Sequence, residues 1–511
     1  MNVAVAVSGG PLPRWKVWCI EALRGDARLH VRVVVAPGSA RTERRVRAPL
    51  GCRALAPAEI AADAGDLSGA DAIVDLTERG VDAGAPHGVW RFRLGDDDDA
   101  RLPFARETAD GRTTFDVVLL RRRDGSDATM RTGRFAVTRW YPTTVRIALA
   151  ESARWPATLL GAIADGVDVP ALPAVRRSAP RPLGAPDRVR FAVALARRLV
   201  SALITSFFDI AEWNVGFVDG GPERLLSAEP LPVRWLPAPE KYTFIADPFI
   251  VERDGVRALF VETYTEDHGR GAIDVLVLDD DDAIVRRARA IDRDTHLSYP
   301  FPVDIDGTLY LVPENCAGNE VALYRCTRFP DGWERETALF PSFDGVDTTL
   351  FAHGGRWWAF CTRYSRGSTL ALNAFYAPSP RGPWSPHALN PIVVDVTAAR
   401  PAGQPFVVDG VLYRPAQDCS ASYGGGLVIA RVDELSPTAF RQEIVQSHGA
   451  AGFGRWSDGI HTVSFASGRF VVDGKHTYRD ARKITSVLTK IRSLALRRLL
   501  RRPAPVETKF A

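Results

Sequence analysis

Phe244-Ile245-Ala246-Asp247-Pro248-Phe249-Ile250 is followed by Asp254-Gly255 and then by Val256 to Glu262. An Asp-Pro step opens an apolar strand, an Asp-Gly pair makes a tight hairpin turn, and a second apolar strand returns. The unit recurs. Tyr299-Pro300-Phe301 runs to Asp306-Gly307 and Leu309-Tyr310-Leu311, and Asp347-Thr348-Thr349-Leu350-Phe351 runs to Gly354-Gly355 and Trp357-Trp358-Ala359-Phe360. Pro401-Ala402-Gly403 leads to Asp409-Gly410 and Val411-Leu412-Tyr413, and Gly459-Ile460-His461-Thr462 leads to Ser467-Gly468. The turn glycines 255, 307, 355, 410 and 468 stand 52, 48, 55 and 58 residues apart. A period of about 50 residues with hairpin turns predicts a radial β array with one blade per repeat. The expectation is an all-β five-bladed propeller within residues 210–480. Trp213 to Val218 precedes the first repeat and is expected to pair with the Phe470 to Lys475 region, closing the ring.

In a propeller the first strand of each blade lines the central channel, so residues at its start converge on one funnel. They are Asp247, then His296-Leu297-Ser298-Tyr299, Asp347-Thr348-Thr349, Arg400-Pro401-Ala402-Gly403 and His461-Thr462. Glu262, Glu314 and Gln417-Asp418 end second strands and reach the same funnel. Taken singly, each has a plain reading. An Asp before Pro also forms turns, His353 beside Gly354-Gly355 reads as a turn residue, and Trp357-Trp358 reads as core between blades. Polar residues repeated at five strand starts instead mark a site, because charge gathered in a cleft is costly without a use.

Composition bounds the rest. At 511 residues, 46% hydrophobic and 25% charged, the chain is that of a soluble globular protein of two or three domains. A net charge of +4, with Lys and Arg spread along the chain, predicts no nucleic-acid partner. Cys19, Cys52, Cys316, Cys326, Cys361 and Cys419 form no Cys-x-x-Cys pair and no zinc spacing with His. Reduced thiols, no metal site and no cofactor are expected. Met1 to Val7 lacks a basic leader, and the uncharged apolar stretch Leu199 to Phe208 is half a membrane span. The expected location is cytoplasmic, peripheral to the inner membrane face if the C-terminus binds lipid.

Residues 1–168 read as an α/β, Rossmann-type domain. Asn2 to Val7 is a buried parallel strand, Arg14 to Arg24 a helix and His30 to Val35 a second strand. Ser8-Gly9-Gly10-Pro11 lacks the Gly-x-Gly-x-x-Gly spacing of a dinucleotide site and reads as a tight turn. With Asp71 to Leu76, Gly88-Val89-Trp90, Thr114 to Leu120 and Gly133-Arg134-Phe135, the segment resembles a degenerate formyltransferase domain. That family places an Asn-x-His pair where this chain has Trp90-Arg91-Phe92, so the resemblance implies a scaffold without formyl-transfer machinery. His87, just before, reads as a turn residue.

Val169 to Pro186 carries five prolines and predicts a semi-rigid linker. Asp187 is the expected N-cap of a helix from Arg188 to about Phe208, packed between the domains within residues 169–209. At the other end, 481–511, Lys483 to Arg502 sets Ile484, Val487, Leu488, Ile491 and Leu494 at helical spacing among seven basic residues and no acid. A basic amphipathic helix of this kind predicts an anionic membrane surface as partner, or else a packed terminal helix.

Ala246-Asp247-Pro248-Phe249, His296 to Phe301, Pro313-Glu314, Val346 to Thr349, Arg400 to Gly403, Arg414 to Cys419 and Tyr423-Gly424 together resemble the N-terminal domain of plant glucosamine inositolphosphorylceramide transferases. More distantly the region is similar to the five-bladed propellers of glycoside hydrolase family 43. The plant proteins are expected to transfer sugar with a separate C-terminal domain, for which the residues after 480 are too few, so the name is not expected to carry its activity across. The hydrolase resemblance implies Asp247 as general base and Asp347 as the aspartate that tunes the acid. The hydrolases draw their acid from blade four, where this chain has Arg400; Glu314 or Asp418 would have to supply it. Arg400 and His461 in one funnel suit a phosphorylated or acidic sugar. Glu262, His296, Ser298, Tyr299, Gln417 and Tyr423 complete the expected carbohydrate or sugar-phosphate site.

Overall fold

The structure is a computed structural model that describes residues 1–36, 51–77, 80–96, 102–174, 183–265, 269–466 and 468–485. The N-terminal part is a mixed α/β sheet of seven strands. Asp63–Ala64, His30–Val35, Asn2–Val7, Ala72–Asp75 and Val89–Leu94 run parallel in that order, and the antiparallel pair Thr114–Arg123 and Ser126–Ala136 extends the edge. The central strands are apolar throughout because both faces are covered. Trp15, Ile20 and Leu23 of the Arg14–Arg24 helix, with Tyr141, Val145, Leu149 and Trp155 of two later helices, fill one face. Asp96 starts an acidic run whose other members lie outside the described residues. His87 sits in a turn, as its sequence context suggested, and its carbonyl accepts the Trp90 indole N–H at 2.9 Å.

Five antiparallel sheets follow, four of them built from consecutive strands, and together they form the propeller. Blade one is Thr243–Arg253, Val256–Thr265, Arg270–Leu278 and Ile284–Ile291; blade two is Ser298–Ile305, Thr308–Glu314, Glu320–Arg328 and Gly332–Pro341. Blade three has Gly345–His353, Arg356–Arg363, Ala371–Ala377 and Ser385–Pro386, and blade four has Phe406–Val408, Val411–Asp418, Gly426–Leu435 and Phe440–Gly449. The inner hairpins turn on left-handed pairs. Asp254-Gly255, Asp306-Gly307 and Asp409-Gly410 all have positive φ at both positions, which matches the twist of the flanking strands.

Blade five closes the ring from both ends of the repeat region. Val463–Ala466 and Arg469–Arg479 are its inner strands, and Asp209–Asp219 is its third. Trp213 pairs with Lys475 and Val218 with Phe470, the pairing expected from the sequence. Trp358 is buried between blades. The two parts of the chain meet at the Ser126–Ala136 strand: Arg134 bridges Asp395 in parallel, and the Arg131 guanidinium donates to the carbonyls of Leu389 and Pro391.

The helix after the linker departs from expectation. It spans Ala185–Phe208 with Gly184 at the N-cap, and the Asp187 carboxylate accepts the Gly184 N–H from the third helical position. Asp187 is therefore inside the helix, because Pro186 is well tolerated in a first turn and lets the helix begin earlier. Nor is the helix packed between domains. Phe191 is its one buried residue among those described, and the opposite face is solvent-exposed. Of the basic C-terminal segment, only residues to Thr485 are described; 486–502 lie outside the described residues.

Candidate active site in the propeller funnel

Three of the inner strands carry the same irregularity. The register skips between Ala246 and Phe249 in blade one, Ser298 and Phe301 in blade two, and Val346 and Thr349 in blade three. At each bulge one non-glycine residue is left-handed: Asp247 at φ 50°, Tyr299 at 45° and Asp347 at 50°. A left-handed non-glycine residue costs on the order of 1 kcal/mol or more and persists where its surroundings hold it. Here those surroundings are the bulge residues of neighbouring blades. The Asp247 N–H donates to Asp473 Oδ2 at 3.1 Å, and the Tyr299 N–H donates to Asp247 Oδ2 at 3.1 Å. The Tyr299 hydroxyl lies 2.8 Å from Thr349 Oγ1 and accepts the Gly403 N–H at 2.9 Å. The bulges therefore turn side chains inward and tie the blades together around the channel.

Asp247, Glu262, Glu314, Asp347, Arg400, Gln417 and His461 are all buried here. Asp247 Oδ1 accepts the Thr462 hydroxyl at 2.6 Å. Burial first, then the Asp347 and Asp473 carboxylates, push the Asp247 carboxyl up to about 6 against the pull of His461. Glu314, opposite Ser298 in blade two, is pushed up to about 8 by burial and by Asp347, with Arg400 acting the other way. Its Oε2 is buried without a hydrogen-bond partner, which a neutral acid tolerates far better than a carboxylate. Glu262 is held well above its ordinary range by burial, then by Asp247, Glu314 and Asp347. The Gly271 N–H donates to His296 Nδ1 at 2.7 Å, so a neutral ring carries its proton on Nε2, which faces Glu262 Oε1 at 3.2 Å. The His296 side chain is 41% exposed. The Tyr423 side chain is half-exposed as well.

Arg400 is tied to the carboxylate of the neighbouring blade. Its Nε and Nη2 grip Asp347 Oδ2 and Oδ1 at 2.7 and 3.2 Å, and its Nη2 lies 3.7 Å from Glu314 Oε2. The guanidinium also lies 5.0 Å from the Tyr423 ring centroid and donates to the Tyr423 hydroxyl at 3.3 Å. Two of the three Arg400 guanidinium nitrogens are matched to an internal carboxylate. Gln417 donates to Asp347 Oδ2 at 2.9 Å and to the Pro401 carbonyl at 3.0 Å. Asp418, the next residue, points elsewhere because successive strand side chains alternate faces. Its carboxylate accepts the Ser420 N–H at 2.9 Å and acts on Arg134 of the N-terminal part, so the structure does not bring it into the acid cluster.

Three contributors, Asp473, Trp213 and Lys475, lie outside the set read from the sequence. Asp473 is completely buried, and its Oδ2 accepts from His461 Nδ1 at 2.5 Å. It also accepts the backbone N–H groups of His461 and Thr462. His461 Nε2 faces Asp247 Oδ1 at 3.8 Å, so Asp473, His461 and Asp247 close into one cluster. Trp213 stacks on the His461 ring at 4.0 Å and 14°. Lys475 lies over Trp213 and donates to Ser422 and the Tyr423 carbonyl, and Thr462 holds Asp247. A carboxylate inside the apolar run Val471-Val472-Asp473 was the available signal for Asp473. Ligand atoms of Asp247, His461 and Asp473 lie within 4.8 Å of one another, the spacing of a cation site. All four carboxylate oxygens of that trio already accept hydrogen bonds.

Residues 237–453 match the family described as Glucosamine inositolphosphorylceramide transferase 1, N-terminal. The chain is 35% identical over 205 residues to Glucosamine inositolphosphorylceramide transferase 1 of Oryza sativa subsp. japonica, covering 39% of this chain and 27% of the rice protein. It is 32% identical over 246 residues to the Arabidopsis thaliana protein of the same name, covering 45% and 32%. The chain thus spans about a quarter to a third of these relatives' length. Similar solved structures include an exo-β-1,3-galactanase from Clostridium thermocellum, with a TM-score of 0.34, 14% identity and 41% and 52% coverage. An exo-β-1,3-galactanase from Phanerochaete chrysosporium has a TM-score of 0.32, 12% identity and 43% and 58% coverage. The matched region is the propeller, and the likeness of its motifs to the plant N-terminal domain holds.

Proposed function

We propose that the propeller is a carbohydrate-active enzyme that hydrolyses or transfers a glycosyl group of a surface glycan or glycolipid. One observation carries the reading: two buried carboxyl groups in one funnel are pushed to about 6 and about 8. Glycosyl transfer to water or to an acceptor hydroxyl needs a carboxylate to take a proton and a carboxylic acid to give one. Asp247, ionised above about 6, is the base, and Glu314, protonated below about 8, is the acid. Asp347 raises Glu314 while Arg400 keeps the pair from accumulating uncompensated charge. Asp473 and His461 are positioning residues that hold Asp247. With Arg400 spent on Asp347, a neutral glycosyl unit fits better than a sugar phosphate. Glu262, His296, Ser298 and Tyr423 supply donors, acceptors and one ring face for it. The N-terminal α/β part is read as a scaffold.

A second reading is a sugar-binding module without turnover, favoured by the Arg400–Asp347 lock at the blade-four position. One experiment separates them. The protein is incubated with a panel of glycans, glycolipids and nucleotide sugars, and released or transferred sugar is measured for wild type and Asp247→Asn. Turnover falling by about 10²–10⁴ in the variant supports the enzyme. Saturable ligand binding with no turnover in the wild type rejects it.

A further inference from the structure

We propose that the Ala185–Phe208 helix is a membrane-lying element that seats the protein on an anionic bilayer. The inference holds whatever chemistry the funnel performs. Val189, Val193, Ala196, Val200, Leu203 and Phe207 follow one another at steps of four, three, four, three and four residues, which places them in one stripe along the helix. That stripe faces solvent: Val189 is 64% exposed, Val200 55% and Leu203 51%. A soluble helix normally turns such a row inward, so the row is the wrong way round for a protein surrounded only by water.

The charge around the stripe selects the occupant. After Asp187 the helix has no acidic residue, and its charged side chains are Arg188, Arg190, Arg197 and Arg198. Arg188 and Arg197 form no ion pair among the described residues. At the C-terminal end of the helix the chain returns beside it: the Asp480 N–H donates to the Phe208 carbonyl and Lys483 Nζ donates to the Thr205 carbonyl. Arg479, which pairs with Asp209, and Arg482 and Lys483 add to the positive charge there. An apolar row inside a basic field is complementary to acyl chains beneath anionic headgroups. It is poorly complementary to a second copy of itself, because the two rows would bring like charges together.

The helix is long enough to cross a bilayer, at 24 residues and about 36 Å. Its inner face shows that it lies flat instead. Phe191 packs edge-on against Tyr141 at 5.0 Å, and the Arg198 guanidinium donates to the Val137 and Thr138 carbonyls at 2.9 and 3.2 Å. Leaving the protein to span would break these contacts and bury Arg198 in hydrocarbon. The placement also bears on the funnel. Phe208 runs directly into the Asp209–Asp219 strand, and Trp213, which stacks on His461, is five residues on, about 17 Å along an extended strand. The helix is therefore joined without a linker to the strand that supplies one wall of the candidate site.

Flotation of the full chain with vesicles tests the proposal. Vesicles of phosphatidylcholine alone and of phosphatidylcholine with phosphatidylglycerol are compared for wild type, Val193→Glu/Val200→Glu/Leu203→Glu and Arg188→Glu/Arg197→Glu. The substituted side chains are exposed, and an unchanged thermal transition confirms folding. Wild type floating with the anionic vesicles, with each variant bound at least about tenfold more weakly, is the expected result. Wild type remaining soluble, or the triple variant floating as well as wild type because residues 483–502 suffice, overturns it. So does a concentration-dependent dimer that the triple variant abolishes.

Discussion

Asp247 and Glu314 are the same kind of side chain in the same funnel, and their surroundings separate them. Asp247 receives hydrogen bonds from Thr462 and the Tyr299 N–H, which favour its charged form, whereas Glu314 Oε2 receives none. If they are base and acid, kcat/KM follows a bell whose limbs lie near about 6 and about 8, and Glu314→Gln removes the alkaline limb along with most activity. Stability reports on Glu314 independently of activity. Its folded value lies above the unfolded one, so its contribution is full below about 4.5 and is lost as pH rises through about 8. Urea unfolding at pH 5, 7 and 9 is expected to show Glu314→Gln gaining on wild type with rising pH, by on the order of a few kcal/mol. A gap that stays constant across that range would place Glu314 in a solvated setting.

At the scale of elements, the repeated bulge separates a blade from an ordinary four-stranded sheet. Asp247, Tyr299 and Asp347 occupy equivalent left-handed positions in consecutive blades, and in blade four the Gly403 N–H donates to the Tyr299 hydroxyl. Gly403 has φ 121°, and a Cβ there would stand 1.8 Å from the Val463 carbonyl oxygen. Gly255, in the blade-one hairpin, has φ 73° and open space where a Cβ would go. Gly403→Ala is therefore expected to cost about 3 kcal/mol or more and Gly255→Ala about 1 kcal/mol, as read by chemical denaturation. Similar losses at both positions would mean that blades four and five are not in contact through Gly403. Proline at 248 and 300 made two of the bulges legible as irregular strand starts. The left-handed conformation itself was not legible, because it depends on the hydrogen bonds between blades.

For the molecule as a whole, the ring depends on a strand paired with residues 250 to 270 positions away. Asp219 and Arg469 end the same eleven-residue pairing, which holds blade five together. Val215 is fully buried in it. Val215→Asp places an unpaired carboxylate there and is expected to destabilise by about 3–5 kcal/mol, lowering the melting transition of the propeller as one unit. Loss confined to the N-terminal sheet would contradict closure through this strand. The helix that leads into the strand was the element least well read from sequence. Its apolar spacing predicts burial, but periodicity says only that one face differs from the other, not which solvent that face meets.

The sequence by itself determined the blade count, the hairpin turns, the closing strand and most of the residues that converge, because these follow from period, turn chemistry and strand alternation. Only the tertiary structure decided what the residues do to one another. Arg400 became the partner of Asp347, Asp418 was turned towards the N-terminal part, and Asp473 entered the funnel from the Arg469–Arg479 strand. The physical reason is that charge pairing and burial are set by distances across blades, between residues from about 50 to more than 200 positions apart, and no local pattern encodes them.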